Sequence, residues 1–134
     1  MGQTVIAAIT VLAVMGVADA IWLTTMTDRF YRRELPGLLA ETPMWAPAFG
    51  FYLLYALGTI VLVVVPALDG EHEVGRVAAT GALLGLVAYG TYDLTNLATV
   101  QGWSLKVTVV DMTWGALLTA VASVAAVVAA RTLS

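Results

Sequence analysis

The chain has 134 residues, is 60% hydrophobic and only 11% charged, and its mean hydropathy is +0.91. A soluble domain carries about 25% charged residues, so this composition specifies an integral membrane protein; the length suits one compact bundle, residues 1–134 as a single transmembrane domain. Six Lys and Arg that form no basic stripe exclude nucleic acid as a partner, and the lack of cysteine excludes disulfides, thiolate catalysis and cysteine-ligated metal clusters. The net charge of -3 says little about partners, because three of the nine acids lie inside apolar segments.

The first apolar segment predicts a span from about Thr4 to Met26. Ala18-Asp19-Ala20 has the look of a signal-peptidase site, but no positive region precedes it and the apolar pattern continues past it, so the segment reads as a retained helix. Ala8, Leu12, Met15, Asp19, Trp22 and Met26 share one side of that helix, which turns Asp19 into the bundle. Thr27 to Pro43 reads as a polar loop, in which Phe30, Tyr31, Leu35, Leu38 and Leu39 between the charges suit a segment lying in the headgroup layer, broken near Pro36 and Gly37.

A second span is predicted from about Trp45 to Val65, stopping at Pro66, with Pro47 tolerated in its first turn and Tyr52 and Tyr55 on one face. The acidic turn that follows holds the only histidine, His72, which reads as a solvated loop residue. The third span, about Val77 to Val100, carries a GxxxG pair, Gly81 and Gly85, suited to close helix packing within the monomer. That side continues through Ala88 and Tyr92 to Asn96, flanked by Tyr89 and Asp93. The fourth span, about Val107 to Ala130, puts Asp111 on a side of small residues, Gly115, Leu118, Ala122, Ala126 and Ala129, expected to pack on other helices. Val109, Thr113, Leu117, Val124 and Val127 lie on the side expected to meet lipid.

The predicted fold is therefore all-α, an integral membrane four-helix bundle with an interfacial first loop. Four spans joined by short loops alternate in direction, which brings Asp19, Asp93 and Asp111 into the same half of the membrane. The four tryptophans, five tyrosines and three phenylalanines fall in that half as well. An acid at membrane depth is costly, faces the bundle or a wet cavity, and marks a functional site by default. The bland alternative is that the aspartates hydrogen-bond Trp, Tyr, Asn or Thr across helices and only lock the bundle. Three carboxylates close together do not all ionise cheaply, so such a cluster shares a proton or calls for a cation. Gly16, Asp19, Leu23 and Thr25 faintly echo the spacing of Gly90, Asp93, Leu97 and Thr99 in the parallel third span, as an internal repeat would.

The string Tyr92-Asp93-Leu94-Thr95-Asn96-Leu97-Ala98-Thr99, the later Gly102-Trp103, Leu105 to Asp111 and Trp114-Gly115, and the earlier Ala18-Asp19, Trp22-Leu23 and Phe30-Tyr31-Arg32 resemble an uncharacterised family of small bacterial inner-membrane proteins, domain-of-unknown-function family 2177. The resemblance implies four spans and a bacterial inner membrane, and supplies neither substrate nor catalytic assignment.

Haem, Schiff-base retinal, phosphate-loop nucleotides and serine hydrolysis are set aside, since the spans hold no His or Cys, Lys106 lies at a span boundary, no phosphate loop is present, and Ser104 lies on the surface opposite His72. No cofactor is predicted, although a divalent cation at the Asp cluster would be chemically acceptable. The leading expectation is a module that binds or transports a small cationic or amphiphilic ligand in a pocket of Asp19, Trp22, Tyr52, Tyr55, Tyr89, Tyr92, Asp93, Asn96, Asp111 and Trp114. The alternatives are a lipid-modifying enzyme using the Asp cluster, and a scaffold subunit whose aspartates fix packing. Membrane lipid is the expected partner, and transport through so few helices would call for a homodimer. Arg29, Arg32, Arg33 and Lys106 on the pocket side, against Arg76 and Arg131 opposite, place the pocket at the cytoplasmic surface and both termini outside.

Overall fold

A computed structural model of the chain describes residues 2–40 and 42–134; Met1, and Glu41 of the first polar loop, lie outside the described residues. Among the described residues four helices are long and apolar enough to cross a membrane: α1 (Gly2–Glu34), α2 (Trp45–Asp69), α3 (Val74–Thr99) and α4 (Leu105–Leu133). The flanks of the bundle expose Leu, Ile, Val and Phe along every helix, as a surface solvated by acyl chains should. Most hydroxyls inside the spans are satisfied locally, Thr59, Thr91, Thr113 and Thr119 each donating to the carbonyl one turn back; that of buried Ser123 has no partner among the described residues.

The centre of the bundle is α4, the most buried of the four, with α1 and α3 both packed along it. Without a hydrophobic drive between helices in lipid, such packing depends on small residues that let backbones approach. At Gly85 a Cβ would run into the backbone of Gly115 and come within 2.8 Å of Ala116 Cα, and at Gly81 it would come within 3.0 Å of Thr119 O. The GxxxG pair therefore serves packing inside the monomer, as its setting in the third span predicts. Gly115 in turn leaves the space that the Tyr89 ring fills.

By contrast, α2 packs unevenly. Its second half buries Ala56, Thr59, Val63, Val64 and Ala67 against the other helices, whereas Trp45 to Leu54 are exposed apart from half-buried Tyr52. Tyr52 ties this outer half to α1 by donating its hydroxyl to the carbonyl of Leu12, beside Gly16, whose missing side chain makes room for the phenol. At the far end Arg131 donates to the carbonyls of Ala67 at 3.2 Å and His72 at 2.7 Å, so the half-buried histidine contributes its backbone to a clasp on the α2–α3 turn.

Two boundaries differ from expectation, each for a local reason. The α1 helix continues eight residues past Met26, through a π-helical turn at Thr27–Tyr31 in which the N–H of Arg32 reaches back to the carbonyl of Thr27. Its last turn is held to the start of α4 by Glu34, which meets Lys106 at 3.4 Å and accepts from Ser104 at 3.5 Å. The break comes at Leu35, followed by Gly37 with φ 75°, where Pro36 and Gly37 predict it. Likewise α2 runs through Pro66 to Asp69, because a second π turn at Ile60–Val64 precedes the proline. The wider turn absorbs the clash between a proline ring and the carbonyl four residues earlier. On α4, Val109, Thr113 and Leu117 face outward as expected, but Val127 is fully buried. Val127 stands eighteen residues, five full turns, beyond Val109 and so points the same way; it is buried because the helices close in at that end, where it joins Val63, Val64 and Ala67 in the core.

Replacing Gly85 by Leu should cost roughly 3 kcal/mol or more of unfolding free energy, since both backbones would have to separate. Gly75→Leu, at a position with nothing within 4 Å of its would-be Cβ, should stay within about 0.5 kcal/mol of the parent. Denaturation in lipid nanodiscs compares the two.

Candidate functional site

Because α2 leans on its neighbours mainly through its inner half, a cavity of about 690 Å³ remains between its outer half and α1, α3 and α4. Eleven of the twelve aromatic residues line it, all but Phe30. Leu35, Leu39, Ala40 and Pro43 of the α1–α2 connection line it as well. Asp19, Asp93 and Asp111 all reach this one space from three different helices.

Their surroundings differ. On α1, Asp19 accepts a hydrogen bond from the Trp114 indole at 3.1 Å. Trp114 stacks on Trp22, with centroids 4.3 Å apart and planes 6° from parallel. The Trp22 indole donates to the Tyr31 hydroxyl at 2.9 Å, and Tyr31 donates onward to Asp111 Oδ1 at 2.7 Å. Two aspartates are thus joined through a stacked indole pair and one phenol, a polar chain that crosses the α1–α4 contact. Deeper on the same wall, the Tyr55 and Thr119 hydroxyls share a hydrogen bond of 2.6 Å.

Asp93 stands apart. It is 0% exposed, and neither carboxylate oxygen has a hydrogen-bond donor among the described residues. The acid beside it is Asp111. A buried carboxyl left without a donor costs several kcal/mol, and two carboxyls in one buried site do not both ionise cheaply. Among the described residues no set of three or more His, Asp or Glu side chains is placed to hold a metal ion. Asp19 is engaged at Trp114, which leaves a pair of acids rather than a three-acid cage.

Of the residues singled out from the sequence, Asp19, Trp22, Tyr52, Tyr55, Tyr89, Tyr92, Asp93, Asp111 and Trp114 line the cavity together. Asn96 does not: it lies half-buried one turn beyond Asp93, outside the lining. Tyr31 is the residue that sequence reasoning leaves out. Nine positions separate it from Trp22, which on a regular helix sets the two roughly 180° apart; the π turn adds a residue to the winding and swings Tyr31 back toward the cavity. Trp103 also joins the wall, edge-on to Tyr92 with centroids 5.4 Å apart.

Comparison with curated proteins and with solved structures returns no significant match. The family described as "Predicted membrane protein (DUF2177)" matches residues 4–128, nearly the whole chain, and agrees with the resemblance carried by the Tyr92 to Thr99 string.

Tyr31→Phe removes the donor to Asp111 and the acceptor of Trp22, and should lower stability by about 1–3 kcal/mol. In a double-mutant cycle with Asp111→Asn, the two losses should be non-additive by at least about 0.5 kcal/mol. Additive losses in micelle unfolding would mean that the two side chains do not interact.

Proposed function

The chain belongs to this family of predicted multi-pass membrane proteins, and on that premise we propose that it binds a small cationic or amphiphilic ligand in the aromatic cavity, with Asp93 and Asp111 meeting the positive end. The observation that carries this reading is Asp93, buried, without a donor, and lining a space large enough for a ligand. Ligand sites typically enclose roughly 300–1,000 Å³, with apolar and aromatic walls and a few convergent polar groups. An acid kept only to brace helices would be paired, as Asp19 is with Trp114 and Asp111 with Tyr31.

Aromatic faces attract cations by about 0.5–2 kcal/mol each, and the stacked Trp22–Trp114 pair and Tyr92 offer such faces in the wall. A proton and a cation are alternative occupants of the Asp93–Asp111 pair, so binding couples to proton release. That exchange is what a proton-coupled transporter needs. On the balance of Lys and Arg at the two ends, the cavity faces the cytoplasmic side of a bacterial inner membrane, with both termini outside. The bracing alternative keeps a foothold at Asp19, whose contact with Trp114 is an ordinary helix-to-helix bond.

Titration of the protein in nanodiscs with dodecyltrimethylammonium, followed by indole emission, should give a saturable change from Trp22 and Trp114. Asp93→Asn should weaken the binding at least about tenfold. Unchanged affinity in that variant would sink the assignment of the charge site.

A further inference from the structure

We propose that the ligand is a membrane-dissolved alkyl- or acyl-chain amphiphile with a cationic head, which enters sideways from the bilayer between α2 and α3. This rests on the cavity reading above and names its ligand class.

The geometry of the α2–α3 seam motivates it. The two helices meet around the Ile60–Val64 turn, and above it through the edge-on contact of Tyr55 with Tyr89, at 6.1 Å between centroids. Beyond those rings lies a second hollow of about 350 Å³, lined by Phe51 of α2, Ala88, Tyr89 and Tyr92 of α3, and Asp111 of α4. Four of these five residues also line the main cavity, so the hollow is its side branch. The fifth, Ala88, is small and offers nothing that would close the branch. Phe51 and Tyr92 at its two edges are 55% and 56% exposed to the flank of the bundle.

Depth decides what an occupant of this branch would meet. Ala88 lies eleven residues before the end of α3 at Thr99, about 16 Å along the helix axis, which is roughly half of the 30 Å hydrocarbon layer. An opening at that level faces acyl chains, not water. The surface end of the cavity is lined by Leu35, Leu39, Ala40 and Pro43 with Thr27 and Arg32 beside them, a mostly apolar rim carrying a fixed positive charge, unfavourable to a small hydrated cation. A side branch walled by rings and ending inside at a carboxyl fits a charged head held inward with its chain trailing into lipid.

Two probes and one plug test the route. In nanodiscs, dodecyltrimethylammonium should bind at least a hundredfold more tightly than tetramethylammonium, which carries the same head without the chain, with the dodecyl compound counted by its concentration in the bilayer. Ala88→Phe, which fills the branch without touching the acids, should weaken the dodecyl compound at least tenfold; Ala88→Val should do so by less, and serves if the larger side chain prevents folding. Equal affinity for the two probes, or parental binding in both Ala88 variants, overturns the lateral route. If Asp93→Asn weakens binding while neither Ala88 variant does, the route falls and the charge site stands. If Asp93→Asn has no effect, the cavity reading fails first.

Discussion

The close approach of α3 to α4 at Gly81, Gly85 and Gly115 is the constraint on which the rest of the molecule depends. In lipid, apolar side chains gain nothing by leaving one apolar neighbour for another, so helices associate where backbones can touch and polar groups can pair. Glycine supplies the first condition along α3 and α4. The hydrogen bonds of Tyr31 with Asp111 and of Trp114 with Asp19 supply the second between α1 and α4. Those three helices then form a fixed wall.

The cavity follows from what α2 lacks. Its inner half has small or β-branched residues, Ala56, Thr59, Val63, Val64 and Ala67, at the positions that meet the wall. Its outer half carries Trp45, Phe49, Phe51 and Tyr55, rings too large to let the backbone close on the other helices. Bulk at one end and small residues at the other turn a four-helix bundle into a wedge. The acids sit in the open end of that wedge, and the apolar contacts at the closed end compensate for what an unfilled cavity forfeits in packing.

The two π turns show how local backbone defects serve the arrangement. One lets α2 pass through Pro66 without a break. The other re-aims the end of α1, so that Tyr31 meets Trp22 and Asp111 instead of facing away from them. Such one-residue insertions are frequent near functional sites because they shift the register of side chains without ending the helix. Here the shift completes the polar chain, while the Asp93 carboxyl keeps no hydrogen-bond donor among the described residues.

The amino-acid sequence alone determined the four spans, the family, the gathering of acids and rings in one membrane half, and the packing role of Gly81 and Gly85, because these depend on segment length, hydropathy and spacing of 3.6 residues. It also marked nine of the cavity's lining residues, since alternating short-looped helices leave little freedom in which ends meet. Tertiary structure decided what spacing cannot encode. Tyr31 enters the site through a π turn that no periodicity reveals, Val127 is buried although it points the same way as exposed Val109, because the helices close in around its end of α4, and Asn96 falls outside the wall although it shares a face with Tyr92. The separate fates of the three aspartates, two paired with ring donors and one with none, emerge only from the angle at which α2 leans away and the distances between helices that pack on glycine. Those quantities are set by contacts among residues far apart in the chain.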